Sequence, residues 1–120
     1  MRPPKLPLVL VPLPLLAAGC LWTSTGTSGY GSGDRAAAAE ANVRAAIPAI
    51  EAYNADHPGL GYRGMTLRGL QRRYDRGVTN VRIPWATRTS YCVTSTVGPE
   101  TYHKAGPAGD ILPGSCPARP

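Results

Sequence analysis

The 120-residue chain contains no phenylalanine, three cysteines, two methionines, two histidines and seven acidic residues, and it has no run of about 20 apolar residues. The last absence excludes a multi-pass membrane protein, since a helix needs about that length to cross the hydrocarbon core. The length leaves no room for a TIM barrel or a doubly wound dinucleotide-binding sheet. The acids are scattered, so no pair of carboxylates suggests acid–base work, and no Ser-His-Asp set or nucleotide fingerprint occurs. Gly106 to Gly109 is not a phosphate loop, because no Lys-Ser or Lys-Thr follows it. His57 beside Asp56, and His103 with Glu100 and Asp110, lack metal-ligand spacing, and Glu100 and Asp110 are too few acids for calcium. The expectation is a protein that is no enzyme and has no cofactor, no metal and no small-molecule substrate.

What the chain does have begins at its N-terminus. Arg2 and Lys5 form a short basic region, Leu6 to Leu16 is apolar but interrupted by Pro7, Pro12 and Pro14, and Ala17, Ala18 and Gly19 are small. That order reads as an export signal over residues 1–19, too short and too broken for a span. Leu16-Ala17-Ala18-Gly19-Cys20 resembles a bacterial lipobox, in which the cysteine is diacylated and opens the mature chain. Cys20 is therefore the expected lipidation site. The expected location is the outer face of a bacterial membrane, held there by acyl chains that each gain about 0.8 kcal/mol per buried methylene. Leu21 to Asp34 is rich in Thr, Ser and Gly without apolar periodicity, so residues 20–34 read as a flexible tether reaching about 20 Å.

Residues 35–120 read as one small domain. The alanine-rich segment from Arg35 predicts a helix to about Asp56, with Asp34 as N-cap and an apolar stripe of Val43, Ile47 and Ile50 beside Ala46 and Tyr53. Pro48 should bend it, Glu40 and Arg44 should pair across one turn, and His57-Pro58-Gly59 should end it. A second helix is expected from Thr66, its N-cap, to Tyr74, with Leu67, Leu70 and Tyr74 on one face. Beyond Gly77 the period becomes two: Val81, Ile83 and Trp85 alternate with Arg82 and Pro84, and Tyr91, Val93 and Val97 with Cys92 and Thr94. With Thr101 to Lys104 these make three half-buried strands. The expected fold class is α+β, a long N-terminal helix packed on a small three-stranded antiparallel sheet.

A domain of about 85 residues needs a staple. Once Cys20 carries lipid, Cys92 and Cys116 remain, and in an exported domain the simplest reading is a disulfide fastening the irregular segment Ile111 to Pro117 onto the central strand. The alternative makes Cys92 a nucleophile with His103 as its base, although the sequence supplies no third group to orient them.

Four segments carry a resemblance: Asn42-Val-Arg-Ala-Ala-Ile-Pro-Ala-Ile-Glu-Ala-Tyr-Asn-Ala-Asp, Gly64-Met-Thr-Leu-Arg-Gly-Leu, Tyr91-Cys-Val-Thr-Ser-Thr-Val-Gly and Thr101-Tyr-His-Lys-Ala-Gly-Pro-Ala-Gly. In that order, over residues 36–117, they resemble the globular domain of type IV pilins and type II secretion pseudopilins. That family runs from a helix with a tyrosine near its end, through a loop, into an antiparallel sheet often closed by a cysteine pair near the C-terminus. The resemblance implies a pilin-like head and an accessory role in a type IV pilus or type II secretion apparatus, with pilus or secretion proteins as partners. The N-terminus departs from the family, which enters filaments through an unbroken apolar helix behind a peptidase site with Phe and a nearby Glu. Here a lipobox and a soft tether stand in that place.

Charge suggests a second function. The formal net charge is +6, and Arg63, Arg68, Arg72, Arg73, Arg76, Arg82 and Arg88 lie in a stretch whose one acid is Asp75. Interleaved with Tyr62, Tyr74 and Trp85, they can bind a polyanion: DNA, lipid headgroups or an anionic envelope polymer. The competing account is a solvated face whose arginine stems cover apolar surface.

Overall fold

The computed structural model describes residues 3–4 and 31–120. Most of the expected signal, Cys20 and the expected tether up to residue 30 lie outside the described residues. Two helices, α1 (Ser32–Asp56) and α2 (Leu67–Arg73), precede four strands, β1 (Arg82–Ala86), β2 (Tyr91–Val97), β3 (Glu100–Gly106) and β4 (Ile111–Pro113). The strands form one antiparallel meander in the order β1-β2-β3-β4, and α1 packs across β2 and β3. The architecture is α+β.

Helix α1 starts earlier than its sequence suggests. Gly31 is the N-cap without a side-chain bond, while Asp34 lies inside the first turn, where its charge favours the positive end of the helix. The extra turn has something to rest on, because the Arg35 side chain lies against Gly98 in the β2–β3 turn. Ala39, Val43, Ala46, Ala49 and Ile50 are buried, whereas Ile47 is only half-buried, so the stripe is shifted toward small residues that let the helix approach the sheet. Pro48 faces solvent and the helix continues through it. The missing hydrogen bond is outweighed by burial on both sides, since each large apolar side chain such as Val43 or Ile50 contributes about 1.5–3 kcal/mol. His57 is the C-cap, as expected, and Thr66 Oγ1 caps α2 by accepting from Gly69 N at 3.1 Å.

The core is formed by Val43, Ala46, Ala49 and Ile50 from α1, Tyr62 and Met65 from the loop, Leu70 from α2, and Val78, Val81, Tyr91 and Val93 from the sheet side. Strand β2 differs from the half-buried expectation. It is buried from Tyr91 to Ser95, with its two faces covered by different things. Tyr91 and Val93 join the core under α1, and Ser95 on the same face accepts from Asn42 Nδ2 at 3.1 Å and donates to the Asn80 carbonyl at 2.6 Å. On the opposite face Cys92 bonds to Cys116, with Cα atoms 6.0 Å apart across a sequence separation of 24, and Thr94 Oγ1 donates to the Tyr102 carbonyl.

Two expectations are corrected here. The segment from Ile111 is not wholly irregular. Its first three residues form a fourth strand, since Lys104 pairs with Ile111, His103 with Leu112 and Tyr102 with Pro113. In β1 the register slips between Arg82, opposite Thr94, and Trp85, opposite Cys92. That extra residue is a β-bulge at Ile83-Pro84, where a proline costs no ladder bond. Ile83 keeps its contact with the core, while Trp85 turns to the outer face and donates Nε1–H to the Pro117 carbonyl at 2.9 Å. The close pairing of β2 with β3 requires Gly106, because a Cβ there would meet the Tyr91 ring at 2.3 Å.

Cys116→Ser should remove about 3.5 kcal/mol of stability, the loop-closure value for a bridge of this span. Urea unfolding with and without reductant checks this: the wild type should fall to the variant's midpoint on reduction, and the variant should not respond.

Candidate functional site

The seven arginines do not form one patch. Helix α2 and the turn after it bring Arg68, Arg72 and Arg76 together with Gln71 around an open concavity of about 400 Å³. Arg82 lies on the outer sheet face and lines a separate hollow of about 380 Å³ with Asn80, Thr94 and Thr96. Arg63 and Arg88 sit on adjoining loops, where Tyr62 N donates to the Arg88 carbonyl at 3.4 Å. Gly61 adopts a φ of 62° beside that carbonyl and leaves no space for a Cβ. Arg73 is exposed on α2 but does not line the concavity.

Local chemistry explains why the arginines on α2 remain open. Arg68 and Arg72 are four residues apart on one helix face, a like-charge pair that costs a few tenths of a kcal/mol. Arg72 also lies in the last turn, where a cation favours the negative end of the helix. Arg76 is held by a tight turn: Asp75 Oδ1 accepts from Gly77 N at 2.7 Å, and Gln71 Nε2 donates to the Val78 carbonyl at 2.7 Å. Asp75, the one acid of the stretch, is thus committed to backbone. The only salt bridge among the described residues is the expected Arg44–Glu40 pair, 2.6 Å on the exposed side of α1.

The other residues weighed for chemistry have structural partners. His57 Nδ1 lies 2.8 Å from the Tyr53 carbonyl and its ring stacks on Tyr53 at 4.0 Å, while Asp56 Oδ2 accepts from Tyr74 OH at 2.7 Å. His103 Nδ1 lies 2.8 Å from the Gly114 carbonyl. Both ring nitrogens therefore carry their proton toward a backbone acceptor. No group of three or more His, Cys, Asp or Glu among the described residues is arranged to hold a metal. Cys92 has no free thiol, so the pairing of a Cys92 nucleophile with His103 is overturned.

A cluster invisible in the spacing lies under α1. Tyr62 OH donates to both Glu51 oxygens, at 3.0 and 2.9 Å, and the Tyr62 ring tilts against Tyr91 with centroids 4.8 Å apart. Burial, the Glu51 hydrogen bond and the Glu51 charge together push the Tyr62 phenol up to about 12. Burial raises Tyr91 as well, aided by the Glu51 charge and Tyr62, and its hydroxyl is buried without a hydrogen-bond partner. At Tyr74 the hydrogen bond to Asp56 is the main cause of an upward shift. In the sequence Tyr62 stands out as an aromatic among the arginines and Tyr91 as a strand residue, whereas Glu51 carries no signal that it meets them.

No family model, no curated protein and no solved structure matches this chain.

The folded state binds the Tyr62 proton more tightly than the unfolded chain does, so its stabilisation is complete below about pH 10 and is lost as pH rises toward 12. Tyr62→Phe should therefore cost about 1.5–3 kcal/mol at neutral pH, the usual worth of a bond to a charged acceptor, and should flatten the alkaline fall measured by denaturant titration. Tyr91→Phe removes a hydroxyl that has no partner, and it should leave the thermal midpoint unchanged or raise it.

Proposed function

We propose that this chain is a non-enzymatic, lipid-anchored protein of the bacterial cell envelope whose pilin-like domain serves as an accessory component of a type IV pilus or type II secretion apparatus. The observation that carries the reading is the element order. A helix with Tyr53 near its end leads through a loop into an antiparallel meander, and a cysteine pair ties the last segment to the second strand. That is the arrangement implied by the residues resembling pilins and pseudopilins. Attachment is assigned to acylated Cys20 and its tether on the lipobox-like run Leu16-Ala17-Ala18-Gly19-Cys20. The role is docking, through the solvent side of α1 or the outer face of the sheet.

Two measurements test this reading. Intact mass of the protein extracted from membranes should give a chain beginning at diacylated Cys20, and a chain retaining residues 1–19 would remove the anchor. In-cell crosslinking followed by mass spectrometry should join α1 or sheet residues to pilus or secretion subunits, and deletion of the protein should impair pilus assembly or secretion. Crosslinks to unrelated envelope proteins with both processes intact would defeat the assignment.

A further inference from the structure

We propose that Arg68, Arg72 and Arg76 form a binding site for the phosphates of a single-stranded oligonucleotide, laid along α2 and read without regard to sequence. The site is independent of the docking role proposed above and occupies a different part of the surface from the outer sheet face.

Three features carry the argument. First, the concavity is cationic and uncompensated. Three guanidinium-bearing residues and the Gln71 amide line it, none of the three arginines has a carboxylate partner, and the nearby Asp75 accepts from Gly77 N. Second, the three arginines are held on a fixed frame. Leu70 is fully buried beneath α2, Thr66 caps the helix start, and the Gln71–Val78 and Asp75–Gly77 bonds fix the turn that carries Arg76. Arg68 and Arg72 are one helical turn apart, about 6 Å along the axis, a rise that suits successive phosphates of an extended strand. Third, the arrangement has a local cost that only the placing of Arg72 in the last helical turn offsets. A like-charge pair in a seven-residue helix is unfavourable, and such breaches of local rules concentrate where a ligand is recognised.

The chemistry of the hollow favours a strand over a membrane surface. A bilayer presents its phosphates in a plane and would be met by a broad cationic face. Arg82, however, opens on another hollow, and Arg63 and Arg88 belong to separate loops. The contacts are to phosphates, because the residues lining the concavity, Arg68, Gln71, Arg72 and Arg76, include no aromatic ring on which a base could stack. Phosphate contacts position a strand but carry no sequence information.

The test is fluorescence anisotropy of the mature full-length protein with a labelled single-stranded DNA of about 20 nucleotides, long enough to exceed a typical single-strand site. Two variants of equal charge are compared, Arg68→Gln/Arg72→Gln/Arg76→Gln and Arg63→Gln/Arg82→Gln/Arg88→Gln, both checked for folding by circular dichroism melting. All six positions are exposed, so neither set removes core contacts. The first triple should weaken binding by at least about tenfold and flatten the dependence of log affinity on log salt by about 2, the expectation for three lost single-strand phosphate contacts. The second should change affinity by less than about threefold. Equal losses in both triples would reduce the attraction to net charge and overturn the site, as would no binding by the wild type. Binding to phosphatidylglycerol vesicles that is lost in the first triple while DNA binding persists would also overturn it, and would reassign the arginines to lipid headgroups.

Discussion

Strand β2 is the constraint on which the rest of the domain depends, because it is buried from both faces by partners that come from opposite ends of the chain. On one side Tyr91 and Val93 lie under α1, which begins before the loop and the sheet. On the other, Cys92 is bonded to Cys116, after the last strand. A small domain cannot bury enough surface to hold three layers by packing alone. The covalent tie lets a C-terminal segment without a hydrophobic face of its own act as the third layer. Trp85 and His103 extend that layer by bonding the carbonyls of Pro117 and Gly114.

The polar groups under α1 show what such a thin core requires. Asn42, Ser95 and the Asn80 carbonyl form a chain from the helix through β2 to the segment two residues before β1, so the buried Ser95 hydroxyl both accepts and donates. Tyr62 and Glu51 do the same at the other end of the helix. Tyr91 is the exception: its hydroxyl is stranded in order to place a large ring over Gly106 and beside Tyr62. The ring's packing therefore outweighs the desolvation of one phenol, and the need for glycine at position 106 follows from the same choice.

Much of this was legible before the fold was known. The alanine-rich run, Thr66 before Leu67, the change to a period of two after Gly77 and the two cysteines left for a bridge are local signals, and the structure contains the elements they announce. The misses have physical causes. Ile111 to Pro113 is too short and proline-marked to read as a strand until β3 lies beside it to pair with it. Trp85 is in phase with Ile83 in the sequence, but a bulge at Ile83-Pro84 inserts one residue and sends it to the other face. Asp34 looked like a cap because the contact that supports an earlier start, Arg35 against Gly98, joins positions far apart in the chain.

The candidate site divides in the same way. By itself the sequence determined that seven arginines would crowd a stretch with a single acid and that helices would precede strands, since these follow from composition and local periodicity. Only the tertiary structure decided which arginines share a surface. Arg68, Arg72 and Arg76 converge because a capped helix and a backbone-tied turn present them to one hollow, while Arg82 leaves on a strand and Arg63 and Arg88 on loops. Charge density is a property of the chain, whereas the convergence of charges depends on the directions in which folded elements point their side chains.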